Sequence, residues 1–379
     1  MSKGRGRGRG RGGRDEDRRR GRDEDRSESS GSGSGGGRSD IEFEDSNVAG
    51  NSSFDTFSCN VIDENFDTPD RVRPDRRFSR AGANTLKLEM SDGEDIEFWN
   101  FKDDDDSDSK DEFPSRPIRV RVGEVVHSEI KGEKNSHTIH HHGINPTTFN
   151  DGVGHTSFEV NGRYTYQFQP RYPGTHFYHC HKNTVLHFEM GMYGLLIVDP
   201  ASGPGSLLDG DLEYDVEAFW IPDDVDPRWR DLNHSAGLCN EDAGLNVFRP
   251  KYFLITGVEN TRTRRHRKVR VDARVGETVL VRFLNASYSV VRTTIEGLDA
   301  EVVGTDGRIL GDPDRPWAQP YTIPAGEPFE TVSAQRRDLF FRPTEPGEYR
   351  VRMEFHDWIT GEIHDNGRGV AETVIRVRA

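Results

Sequence analysis

The sequence predicts an all-β protein: two similar β-sandwich domains following a disordered tail. Three observations carry this. Short runs rich in Val, Ile, Phe and Tyr recur from about residue 55, separated by Gly, Pro, Asn or Asp clusters. Convincing amphipathic helical stretches are few. Two segments about 150 residues apart share an order of strand, RVGE, strand, PG(T/E)(H/Y), strand, as an internal repeat does. RVRVGEVV echoes VDARVGETVLV, and YPGTHFYHCH echoes EPGEYRVRMEFHD.

Residues 1–54 form the expected tail. MSKGRGRGRGRGG and its continuation are of low complexity and cannot bury a core. Twelve Lys and Arg stand against seven Asp and Glu in residues 1–38, while the whole chain carries a formal charge of −15. The body is therefore strongly acidic, which argues against a nucleic-acid partner. The tail's arginines lack interleaved aromatics, so a solvated segment is favoured over an RNA-binding one. No apolar run approaches the ~20 residues that span a bilayer. The longest, LLIV at 195–198, reads as a buried strand. No apolar segment follows the arginines, so no secretory or twin-arginine signal is read there, and the sequence alone gives a cytoplasmic expectation. Cys59 and Cys239 either pair or remain free thiols.

Residues 55–203 hold the first sandwich, with strands expected at TLKLEM (85–90), IEFWNF (96–101), IRVRVGEVV (118–126), YTYQFQ (164–169), THFYHCH (175–181) and YGLLIVDP (193–200). DDDDSDSKDEF (103–113) is expected to be an exposed acidic loop, and PASGPGSLLDG (200–210) a linker. Residues 211–379 supply the second sandwich through YFLITGV, KVRVDARVGETVLVRFLNAS, AEVVGTDG, DLFFRPTEPGEYRVRMEF and ETVIRVRA.

The chemistry is concentrated in two motifs of the first half. HTIHHHG supplies His137, His140, His141 and His142, and HCHKNTVLHFEMGM supplies His179, Cys180, His181, His187 and Met192. Alternate strand residues face opposite sides, roughly 7 Å apart along one side. Cys180 then points away from His179 and His181, and His140 and His142 share a face opposite His137. Pairing the two strands puts Cys180 and His137 on one side, with His187 and Met192 returning to it. His140, His142, His179 and His181 collect on the other. Two His, one Cys and a weak Met form the ligand set of a blue-copper site, whereas zinc takes four strong tetrahedral donors and needs no thioether. Four imidazoles without a carboxylate suit copper in redox or oxygen chemistry. Structural zinc or a core cluster is the competing reading, and the agreement of the two motifs weighs against it.

HxxHxH with HCH…H…M resembles the multicopper oxidases, closely over residues 115–200 and loosely over 210–379. The resemblance implies cupredoxin-like Greek-key domains. His137, Cys180, His187 and Met192 would hold a type 1 copper, His140 a type 2 copper, and His142, His179 and His181 type 3 copper. It also implies a small-molecule or metal-ion reductant oxidised one electron at a time through His187, onward transfer through Cys180, and dioxygen as acceptor. A homo-oligomer, a trimer by family analogy, and a periplasmic or extracellular location belong to the same expectation. A complete cluster in this family takes eight histidines in HxH pairs. This chain has two such pairs and none in its second half, which is expected to carry no copper of its own. His356 and His364 are the weak candidates there, with His155 near the motifs in the first half. His155 and His176 are candidates for a supplementary or supporting role, and Asp151 for a proton donor. His141, where the family has Trp, is expected to pack. His127, His234 and His266 are read as surface residues. Two alternatives stand: a copper nitrite reductase, in which an Asp replaces His140 and the second His of HCH is missing, and a type 1-only electron carrier.

Overall fold

A computed structural model describes residues 61–62, 72–104, 112–132, 135–238 and 242–379. The tail 1–54, most of the acidic loop, and Cys59 and Cys239 lie outside the described residues. The first sandwich contains β1 (Arg76–Glu89), β2 (Asp95–Asp103), β3 (Ser115–Arg121), β4 (Val126–Lys131), β5 (His140–His142), β6 (Arg163–Phe168), β7 (Gly174–His179), α1 (Thr184–Glu189) and β8 (Tyr193–Asp199). One sheet runs β2-β1-β4-β6 and the other β3-β8-β7-β5. Ile118, Val120, Val126, Ile130, Tyr166, Leu196 and Val198 fill the space between them.

The second sandwich contains β9 (Val216–Trp220), β10 (Val271–Arg274), β11 (Val279–Leu284), β12 (Val290–Ile295), β13 (Ala300–Thr305), β14 (Pro328–Thr331), β15 (Arg336–Phe341), β16 (Gly347–His356) and β17 (Val370–Arg378). Its sheets include β9-β11-β15-β13 and β10-β17-β16-β12-β14. The internal repeat is visible in the pairing. In each half, the strand before the R-V-G-E turn lies parallel to the last strand: β3 with β8, and β10 with β17. The strand after the Pro-Gly turn pairs antiparallel with that last strand, as β7 does with β8 and β16 with β17.

The β7–β8 pair is buried on both faces. Tyr178 and Cys180 enter the first core, while Phe177, Leu195 and Ile197 pack on Leu254 and Leu284 of the second half. This explains an unbroken buried pattern in place of alternation, as in strands covered on both sides. A buried ionic network ties β7 to the second half. The Arg282 guanidinium lies 2.7 Å from Glu217, 3.1 Å from Thr175 Oγ1 and 3.5 Å from Asp338. Arg119 bridges Asp199 and Glu217 at 2.6 and 2.7 Å. The expected linker is in fact a small hairpin, Ser206–Leu208 with Asp211–Glu213. Its Leu207 is buried against Leu280, Val303 and Phe340, and that burial gives a Gly- and Pro-rich stretch a fixed shape.

Candidate metal centres

Strand β5 pairs with β7 in the register His140 to His179, His141 to Tyr178 and His142 to Phe177. One antiparallel pairing therefore aligns the two motifs, and the chain leaving β7 carries Cys180 inward. His187 sits on the short helix α1, whose end returns the chain so that Cys180 N–H donates to the Met192 carbonyl at 3.0 Å.

Around Cys180, His187 Nδ1 lies 3.3 Å and His137 Nδ1 3.8 Å from the sulfur. Met192 is fully buried in the same core. His187 Nε2 donates to the His234 carbonyl at 3.0 Å, which leaves Nδ1 with its lone pair toward the sulfur. Burial holds His137 well below the usual imidazole range and lowers His187 to about 3, so both rings are neutral, the form that binds a metal. Burial also pushes the Cys180 thiol up to about 11, and a coordinated cation would remove its proton. Two Nδ1 atoms converging on one thiol, beside a thioether, fit copper.

On the opposite side, ligand atoms of His140, His142 and His179 lie within 4.8 Å of one another. The His181 ring joins them, 5.3 Å from His140 and 5.6 Å from His179 between centroids. His140 donates Nδ1–H to the Asp151 carbonyl at 2.7 Å, and His179 donates Nδ1–H to the Cys180 carbonyl at 2.9 Å. Each Nε2 thereby keeps the lone pair a metal needs, and His179 Nε2 lies 3.4 Å from His142 Nδ1. Burial, with Arg336 next in effect, lowers His142 to about 3. This cluster opens on a cleft of about 620 Å³ between the halves, lined by Asp151, Asp306, Gln335 and Arg336.

Some expectations need correction. His234 is half-buried, not a free surface residue: its ring packs 4.4 Å from His187 and 4.8 Å from His137 between centroids. The approach comes from a loop 47 residues along the chain, which no local motif signals. His127 is buried, on β4, which lies inside its sheet between β1 and β6. His266 is exposed. His141 is buried, bonded to Ser128 at 3.0 Å and packed on Phe168. His176 is buried where Gly143 and Gly307 leave room for its ring. His155 is exposed, with its ring 6.2 Å from that of His181. Asp151 reaches His140 through both its carbonyl and its carboxylate, the latter at 3.3 Å. His356 and His364 are not brought to the His140 cleft. His356 bonds the Gly361 carbonyl at 2.9 Å, and His364 lines a separate cavity with Val185, Trp229 and Tyr288.

Residues 109–203 match the family model described as multicopper oxidase. This stretch, which holds both histidine motifs, is similar to that family's domain. Over 118 residues it is 33% identical to a copper-containing nitrite reductase of Neisseria meningitidis serogroup A, covering 31% of this chain and 28% of that protein. Over 99 residues it is 34% identical to an L-ascorbate oxidase of Cucumis sativus, covering 24% and 16%. The chain thus spans under a third of the length of these relatives. The blue copper oxidase from Nitrosomonas europaea superposes with a TM-score of 0.62 at 21% identity, over 80% of this chain and 86% of that one. That likeness shows the fold: two cupredoxin-like sandwiches, the first of which contains the residues that match the family model.

Proposed function

We propose that the protein is a copper-dependent oxidoreductase that oxidises a small-molecule or metal-ion reductant and passes the electrons to dioxygen. The observation that carries this reading is that one cysteine sits between two separate imidazole sets. His137, Cys180, His187 and Met192 would hold a type 1 copper, and His140, His142, His179 and His181 would hold type 2 and type 3 copper. Copper in these places supplies one-electron transfer at the first set and oxygen reduction at the second.

The chain's own residues prepare both sets. Burial keeps His137, His142, His179 and His187 neutral, and backbone carbonyls fix which nitrogen of His140, His179 and His187 faces inward. Cys180 is bonded directly to His179 and His181, and the His179 Nδ1–H bond to the Cys180 carbonyl adds a second connection. The two sets are therefore joined by one residue of backbone. Within the chain, the cleft beside His140 and His142 is faced by Arg336 and Asp306. We assign the remaining donors to a second copy of the chain in a homo-oligomer.

A second reading, nitrite reduction, draws on the identity to the Neisseria protein. It is disfavoured by His140 and His181, which complete four imidazoles where that chemistry has an Asp and no second His. Copper counting with oxygen-uptake and nitric-oxide assays tests the choice. More than one copper per chain, blue absorbance and oxygen consumption are expected. One copper with a blue band and no oxygen uptake on phenolic or metal-ion reductants overturns the oxidase reading, and nitric oxide released from nitrite selects the alternative.

A further inference from the structure

His137 and His187 are both fully buried, so neither ring presents an edge to solvent. What covers them is segment 233–236, reached through the 3₁₀ turn Pro227–Asp231 at the start of the second half. Three sets of contacts hold it there. The Asn183 side-chain amide donates to the Ala236 carbonyl at 2.8 Å and to the His234 carbonyl at 3.4 Å. The Ala236 methyl is buried with Leu186, Met190 and Trp229. The His234 carbonyl accepts the His187 Nε2–H bond at 3.0 Å.

Asn183 can do this because it adopts a left-handed conformation, φ 42°, just before α1. Asn tolerates that region better than most residues. Its amide thereby turns from the helix start toward the loop. The His234 ring lies edge-on to His137 and tilted against His187, with Trp99 stacked on it at 6.1 Å. Trp99 also meets His187 edge-on at 5.4 Å. His137 Nε2 and His234 Nε2 are both buried without a hydrogen-bond partner among the described residues.

We propose that segment 233–236 is a fixed cap over the Cys180 centre, and that the His234 ring excludes small reductants, exogenous ligands and thiol reagents from it. The capped centre exchanges electrons only across the His234–Trp99 surface, which selects reductants by outer-sphere contact. The copper-loaded arm of the test rests on the proposed function, whereas the metal-free arm does not.

In the metal-free protein, alkylation of Cys180 by iodoacetamide is followed by peptide mass spectrometry, with an added cysteine-containing peptide as the reference. His234→Ala, which removes the ring but keeps the carbonyl, is expected to raise the Cys180 rate at least tenfold. His234→Phe refills the space and should stay within about twofold of wild type. Asn183→Ala, which frees the segment, should move in the direction of the alanine cap variant and serves if His234→Ala does not fold. In copper-loaded protein, azide should perturb the blue band of His234→Ala and not of wild type, and ascorbate should reduce the variant at least tenfold faster. Equal Cys180 alkylation in wild type and both alanine variants overturns the cap. So does slower reduction of His234→Ala, which would make the ring an electron conductor. A wild type that never becomes blue counts against the proposed function and leaves the alkylation result to decide the cap.

Discussion

Strands β7 and β16 hold equivalent places in the two halves, yet only one leads into metal-binding chemistry. Both follow a Pro-Gly turn and pair antiparallel with the last strand of their sandwich. On the inner side, β16 sends Val351, Met353 and Phe355 into an ordinary apolar core, and the β7 strand sends Tyr178 and then Cys180. The outer sides differ more. Arg350, Arg352 and Glu354 of β16 are half-exposed and form ion pairs with Glu372 and with each other, as a solvated face does. Phe177 and His179 of β7 are buried because the second half covers them. An imidazole cluster needs that cover, since burial is what keeps it neutral and aimed. The second half thus contributes to the centres by position, whether or not it supplies ligands.

The sharpest way to break this comparison is Cys180→Ser. Copper-loaded protein should lose its blue absorbance entirely, with copper still bound at the His140, His142 and His179 cluster. A surviving blue band would mean the sulfur is not a ligand. The junction gives the next largest effect. Arg282→Met leaves Glu217 and Asp338 without their buried cation, and such a loss costs about 3–5 kcal/mol. Denaturant unfolding measures it, and a cost below about 1 kcal/mol would show that the network does not hold β7 to its cover.

A pH effect sharpens the same junction. Burial, reinforced by the Asp224 carboxylate, raises Asp223 to about 8, even though Tyr193 O–H donates to it at 2.6 Å. The folded state therefore holds this proton more tightly than the unfolded state, whose carboxylate titrates near 4. The associated stability is fully present below about pH 4 and is lost as pH rises through about 8. Asp223→Asn should flatten that decline in unfolding midpoints, and an unchanged slope would place it elsewhere. The smallest effects are expected at His356→Ala and His364→Ala, which should leave the blue band unchanged. A blue band that weakens in either variant would tie the second half directly to the Cys180 centre.

Much of this organisation was legible in the chain itself. The repeated R-V-G-E and Pro-Gly turns mark two copies of one sandwich, because turn chemistry and strand propensity are local. The period of two in HTIHHHG and YHCH is equally local, and it alone separates Cys180 from its flanking histidines. Tertiary structure decided what depends on distant segments meeting. The buried His127, the folded hairpin at 206–213 and the arrival of His234 over His137 and His187 all fall in this class. Nothing within a few residues of His234 distinguishes it from a surface histidine. Its place is set by Asn183 and by the packing of Ala236, and such contacts form only when the second half closes over the first.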